Sequence, residues 1–145
     1  MTDSTFAELR KEMLGFANHM LERHGEFLPF CMVRTADGDI APFAVQGDDP
    51  NPDAVTLIGW HGEELAKLAA QGSITQSAMA VDIRMRDPAG GDPVDAVMLT
   101  FREAGSAQDE AVPYSVETSG RLFKKRSIPF GEGRVSQPER NEIFG

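Results

Sequence analysis

The chain has 145 residues, of which 41% are apolar and 26% are charged, and this composition predicts one folded domain. Its formal net charge of −9 disfavours nucleic acid as a partner, because phosphate contacts need dense positive charge. No apolar run approaches the ~20 residues that span a bilayer, and the first residues lack a signal-peptide pattern. We therefore expect a cytoplasmic protein that does not bind membranes.

An amphipathic helix is predicted over the first 25 residues. Thr5 and Glu8 have the spacing of a capping box at its start. Gly25 stands where a helix often ends in a left-handed residue. The apolar residues that recur at helical spacing, and so predict one buried stripe, are Phe6, Leu9, Met13, Phe16, Ala17 and Met20.

A β-hairpin is predicted next, with residues 30–35 as one arm and residues 39–46 as the other. The intervening sequence ADGD contains an Asp-Gly pair, which supplies the positive φ of a tight reversal. Pro42 cannot donate to a strand ladder, so the second arm is expected at a sheet edge. Cys31, the single cysteine, lies in the apolar run FLPFCMV and is expected to be a small buried side chain.

A short acidic segment, GDDPNPD, follows the hairpin. Asp49, Asn51 and Asp53 match the first three ligand positions of an EF-hand loop. The sixth and twelfth positions of that loop need Gly and Glu, but they hold Ala54 and Trp60 here. The segment is therefore interpreted as a polar hinge in which Asp53 caps the next helix, and no metal site is predicted.

A second helix is predicted over about residues 54–71, although VTLIGW is also compatible with a short strand. The sequence GWHGEEL within it is the best local candidate for a site. Trp60 offers an aromatic face and His61 a titratable group. If the helix is continuous, His61 shares a side with Leu65 and is more simply a packed residue.

Alternating sequences then predict a three-strand meander. One strand places Met79, Val81, Ile83 and Met85 on one side and Ala80, Asp82, Arg84 and Arg86 on the other. The next strands have apolar sides formed by Val97, Leu99 and Phe101 and by Val112, Tyr114 and Val116. PAGGDP and AGSAQDE are predicted turns, and residues 121–130 are compatible with a further short strand. The side of Asp82, Arg84 and Arg86 is either a solvated sheet face or a docking surface.

Charge is distributed unevenly along the chain. Residues 1–120 carry a formal charge of −12, whereas residues 121–145 carry +3. We expect this basic, partly irregular C-terminal segment to pack on the acidic body. The run FKKR within it is either solvated or in contact with an anionic partner.

Two resemblances follow from these elements. The order helix, hairpin, helix, meander is similar to the profilin-like and roadblock/longin folds, in which the second strand lies at a sheet edge, although no closing helix is predicted here. The sequences GEFLPFCMVRTADGDI, AMAVDIRM, DAVMLTF, PYSVE and NEIFG resemble a group of short bacterial proteins of unassigned function. That second resemblance implies a free-standing soluble domain and supplies no catalytic residue.

These observations predict an α+β domain with a single antiparallel sheet of about five strands. The favoured function is a non-enzymatic interaction or adaptor-like domain, possible partners being a second copy or another protein at a sheet edge or face. The alternative is a small-ligand binder or enzyme with a pocket between the sheet and the second helix. No cofactor or catalytic residue is predicted, and the candidate binding residues are Trp60, His61, Arg84, Arg86 and Tyr114.

Overall fold

The computed structural model describes residues 6–45, 47–86, 90–120 and 125–145. Within these ranges the helices and strands confirm the predicted α+β class. The helices are α1 (Ala7–His24) and α2 (Ala54–Ala70). The strands are β1 (Phe30–Thr35), β2 (Ile40–Phe43), β3 (Ile74–Met85), β4 (Val94–Glu103), β5 (Ser106–Tyr114), β6 (Glu117–Ser119), β7 (Lys125–Ser127) and β8 (Arg134–Ser136).

Six of these strands form one antiparallel sheet in the order β2-β1-β3-β4-β5-β8, and β6 pairs with β7 in a separate ribbon. The sheet therefore has one strand more than expected. Strand β5 also begins earlier than predicted, because the reversal after Glu103 takes only Ala104 and Gly105. Gly105 has φ 79°, which allows this tight turn, and most of the predicted AGSAQDE turn is strand. Part of the predicted PAGGDP turn, residues 87–89, lies outside the described residues.

The first hairpin matches its predicted turn. Gly38 has φ 96°, and its N–H donates to the carbonyl oxygen of Thr35. Strand β2 is four residues long, shorter than the predicted arm, and position 46 lies outside the described residues. Pro42 does lie on an edge strand, as expected for a residue without a backbone donor.

Helix α1 covers one face of the sheet. Leu9, Met13 and Ala17 of the predicted stripe are fully buried, and so is Leu21, which the predicted stripe did not include. Phe16 departs from that stripe, because it lies at the margin of the helix face and its side chain is 40% exposed. The predicted partner in the capping box, Thr5, lies outside the described residues, and the Glu8 carboxylate instead contacts Arg34 at 3.1 Å. The helix ends at Gly25 with φ 76°, as predicted.

Both faces of the sheet are buried along residues 76–80 of β3, so the expected solvated face is limited to the end of the strand, where Arg84 is exposed. Ala80 pairs with Leu99, so these two side chains share the face that α1 covers, and both are fully buried. Met79 points to the opposite face and packs in a second cluster with Cys31 and Leu65. The apolar sides predicted for β3 and β4 therefore lie on opposite faces, because the cross-strand register offsets them by one residue.

Helix α2 and the end of the chain cover this second face. Asp53 caps α2 by accepting from the backbone N–H of Thr56 at 2.8 Å. Ile143 is buried in the same cluster as Leu65, and Phe144 packs against it. A polar anchor holds this tail, since the Asn141 side chain donates to the carbonyl oxygen of Glu103 at 2.6 Å.

The C-terminal segment contacts the rest of the protein through individual hydrogen bonds and ion pairs, and not only through its net positive charge. Buried Arg102 of the body donates to the carboxylates of Asp109 at 2.8 Å and Glu142 at 3.0 Å. Arg126 donates to the carbonyl oxygen of Arg23 at 2.9 Å, where the negative end of the α1 dipole favours a cation. The C-terminal segment therefore contacts the rest of the protein through an acidic residue, Glu142, as well as through a basic residue, Arg126. Residues 121–124, which include the first two residues of FKKR, lie outside the described residues.

Candidate functional site

Trp60 and His61 lie on α2. His61 is buried, and its Nδ1 donates to the carbonyl oxygen of Leu57 at 2.8 Å, so it is a packed residue of the helix. Its ring also meets that of Phe43 edge-on, with centroids 6.1 Å apart. Trp60 is partly exposed, and its ring packs against the backbone of Gly47.

The acidic segment after β2 covers Trp60. A Cβ added at Gly47 would lie 2.4 Å from the indole ring, so only glycine allows this close approach. Asp49 accepts from the backbone N–H of Asn51 at 2.9 Å, and Asp53 caps α2. Among the described residues, no three His, Cys, Asp or Glu side chains are grouped closely enough to hold a metal ion.

Tyr114 lies on the other face of the sheet, in the cluster that α1 covers. Its hydroxyl donates to the Asp82 carboxylate at 2.5 Å. Burial and this hydrogen bond raise the pKa of Tyr114 above its ordinary value, so the hydroxyl stays protonated. The structure therefore does not bring Tyr114 together with Trp60 and His61, because the sheet separates them.

Arg84 lies close to the pair formed by Tyr114 and Asp82. Its guanidinium contacts the Asp95 carboxylate at 3.5 Å; the Arg84 side chain is largely exposed and that of Asp95 is about half exposed. Arg86 is exposed beyond the end of β3. Of the five residues predicted to bind, the structure groups Tyr114 with Arg84 and Trp60 with His61.

An apolar groove lies between α1 and β1, and we call it the α1–β1 groove. The sequence did not predict it. It has a volume of about 610 Å³. Its lining is mostly apolar and consists of Phe16, Met20, His24, Glu26, Phe27, Leu28, Pro29 and Phe30. Leu28 is 60% exposed, although it lies in the apolar run FLPFCMV.

The groove continues toward the edge of the sheet. A neighbouring depression of about 290 Å³ shares Phe16 and Phe30 with it and is bounded by Pro42 and Phe43 of β2. The ring of Phe16 meets that of Phe30 edge-on at a centroid distance of 4.7 Å. An apolar surface therefore runs from the end of α1 to the edge strand.

One end of the groove is acidic. Glu26 lines the groove, and its carboxylate interacts unfavourably with that of Asp82, as does the carboxylate of Asp95. Burial raises the pKa of Asp82, although the Tyr114 hydroxyl and the backbone N–H of Phe27 both donate to its carboxylate.

Cys31 lies in the neighbouring depression at the sheet edge. Burial raises the pKa of the Cys31 thiol to about 12, so at neutral pH this side chain is a protonated thiol and a poor nucleophile. Phe, Leu, Met and Pro side chains supply contact area but transfer no protons.

No protein family, curated protein or solved structure matches this chain. Neither of the described helices is both long and apolar enough to cross a bilayer.

Proposed function

We propose that this protein is a non-enzymatic interaction domain that binds a partner protein through the α1–β1 groove. The main support is the exposure of two large apolar side chains, Phe16 and Leu28, beside the partly buried ring of Phe30. Contiguous exposed apolar surface is uncommon on soluble monomers and marks interaction sites. Aromatic residues and Met, which line this groove, are enriched in the cores of protein interfaces.

The sheet edges offer a weaker basis for binding by strand addition. Edge strand β2 has four residues and contains Pro42, which removes one backbone donor. The other edge, β8, has three residues, and all of them are exposed. A groove that accepts side chains is therefore favoured over an edge that accepts a strand.

The separation of the predicted pocket residues disfavours the enzyme or small-ligand alternative. A pocket needs polar groups that converge on one volume. Tyr114 lies in the cluster under α1, whereas His61 lies on α2 over the opposite face and is bonded to its own helix.

Binding of a model amphipathic peptide tests this proposal. A Leu/Gln peptide of about 15 residues, long enough to form a helix, presents an apolar face without charge. We expect saturable binding in fluorescence anisotropy, weakened about tenfold by Leu28→Ala, because losing a central apolar anchor costs on the order of 1.4 kcal/mol.

Val55→Ala is the matched control, since Val55 is a 79% exposed apolar residue on α2, outside the groove. Absence of saturable binding, or equal weakening by both substitutions, would contradict the proposal. A concentration-dependent dimer in light scattering that Leu28→Ala dissociates would overturn the choice of a different protein and assign the groove to a second copy.

A further inference from the structure

We infer that the partner presents a basic amphipathic segment, with apolar side chains in the α1–β1 groove and a Lys or Arg on the carboxylates of Glu26, Asp82 and Asp95. This inference rests on the proposed function and specifies the partner's chemistry. We call these three carboxylates the acidic rim. The apolar groove and the acidic rim are adjacent parts of one surface.

Two residues join the groove to the acidic rim. Glu26 lines the groove and also lies near enough to Asp82 for their charges to repel. The ring of Phe27 lines the groove, while its backbone N–H donates to the Asp82 carboxylate. The groove and the Asp82 carboxylate therefore meet at Phe27.

The charge of the acidic rim is only partly compensated within the described residues. Arg84 contacts Asp95, but the distance is 3.5 Å and the two side chains are 72% and 45% exposed, so the pair contributes little. Arg126 is directed to the last carbonyl oxygens of α1 instead. Arg23 and His24 lie exposed on the last turn of α1, three and two residues before Glu26, whereas Asp82 and Asp95 lie on β3 and β4.

Asp82 gives the acidic rim its preference for a cation. The carboxylate is partly buried, and both Asp95 and Glu26 repel its charge. A cation placed beside it would lower the cost of keeping Asp82 ionised, whereas a carboxylate there would raise it. Complementary charge of this kind adds selectivity to an apolar contact.

The length of the groove suits a short helical segment. Phe16, Met20 and His24 are spaced at four-residue intervals along α1, which places them along a line of roughly 12 Å. Leu28 and Phe30 form the opposite wall. About two helical turns of a partner fit along that line, enough for anchors at i and i+4.

The test compares three peptides of about 15 residues that share one Leu face and carry Gln, Lys or Glu on the other. At low ionic strength we expect the Leu/Lys peptide to bind about tenfold more tightly than Leu/Gln, and Leu/Glu more weakly than both. The double variant E26Q/D82N should reduce the ratio of Leu/Lys affinity to Leu/Gln affinity to about twofold. Leu28→Ala should weaken all three.

The control for net charge is D37N/D39N, which removes two exposed carboxylates at the far end of the first hairpin. Equal loss of the preference for Lys in both double variants would show general attraction to an acidic protein and overturn the inference. Equal binding of Lys and Gln peptides that depends on Leu28 would also overturn it, while the proposed function would stand. If no peptide depends on Leu28, the proposed function itself fails.

Discussion

Removing Arg10 should destabilise the protein far more than its position on a helix surface suggests. Its guanidinium donates two hydrogen bonds of 2.8 Å to the Glu110 carboxylate. The Glu110 side chain is only 5% exposed, whereas that of Arg10 is 41% exposed. Arg10→Ala would leave a buried carboxylate without its partner.

The expected loss follows from this asymmetry. Removing one partner of a fully buried ion pair costs about 3 to 5 kcal/mol. Because Arg10 is partly exposed, water can enter the space that it leaves, so we expect the lower end, about 3 kcal/mol. For a chain of this length, that loss lowers the melting temperature by roughly 6 to 12 °C.

Urea unfolding followed by circular dichroism measures this loss. Lys11→Ala is the control, since Lys11 is the next residue of α1 and is exposed. The double variant R10A/E110A should be at least about 1 kcal/mol more stable than the two single losses predict, because no unpaired buried charge remains. If Arg10→Ala and Lys11→Ala lower the free energy of unfolding equally, within about 0.5 kcal/mol, the pair of Arg10 and Glu110 does not stabilise the protein in this way.

Two further substitutions and one labelling reaction test other contacts. Gly47→Ala should force the Trp60 ring away, cost about 1 to 3 kcal/mol, and shift the emission of this single tryptophan. Because burial raises the pKa of Asp82, its contribution to stability is full below the ordinary value of 3.8 and is lost as the pH rises through the raised value. Asp82→Asn keeps an acceptor for the Tyr114 hydroxyl, so it should gain stability relative to the wild type between pH 4 and neutral pH. The Cys31 thiol should react with a disulfide reagent far more slowly in the native protein than in the unfolded chain, because burial limits access and raises its pKa.

Each of these predictions has a result that would contradict it. An unchanged emission spectrum for Gly47→Ala would show that the ring does not pack on the backbone. A stability difference between Asp82→Asn and the wild type that is independent of pH would remove the argument from burial. Rapid labelling of Cys31 in the native protein, faster at higher pH, would show an accessible thiol.

Local patterns in the sequence were sufficient to predict several elements. Helical spacing predicted α1, and the Asp-Gly pair predicted the turn at Gly38, whose φ is 96°. The capping side chain of Asp53 predicted the start of α2. These features depend on residues within a few positions of one another, so sequence alone contains the necessary information.

Such local patterns do not predict which distant residues pair with one another. The register that aligns Ala80 with Leu99 decides that both faces of the sheet are buried, and alternation within each strand does not specify it. The hydrogen bond between Tyr114 and Asp82 joins residues 32 positions apart.

The groove was missed because apolar runs predict burial without saying which members remain uncovered. The sequence FLPF places Leu28 between buried neighbours, Phe27 and Pro29, yet Leu28 is 60% exposed. Its exposure depends on where α1 ends and on where β1 begins. The signal available in the sequence was the number of large apolar residues around this helix end.

Chemical-shift mapping with the Leu/Gln peptide examines the binding surface residue by residue. In ¹H–¹⁵N NMR spectra we expect the amides that shift on titration to cluster around the α1–β1 groove, at Phe16, Met20, Phe27, Leu28 and Phe30. Amides near Trp60 and His61 should stay unchanged. Shifts confined to α2 around those two residues, or an unchanged spectrum at saturating peptide, would contradict the assignment of the groove as the binding surface.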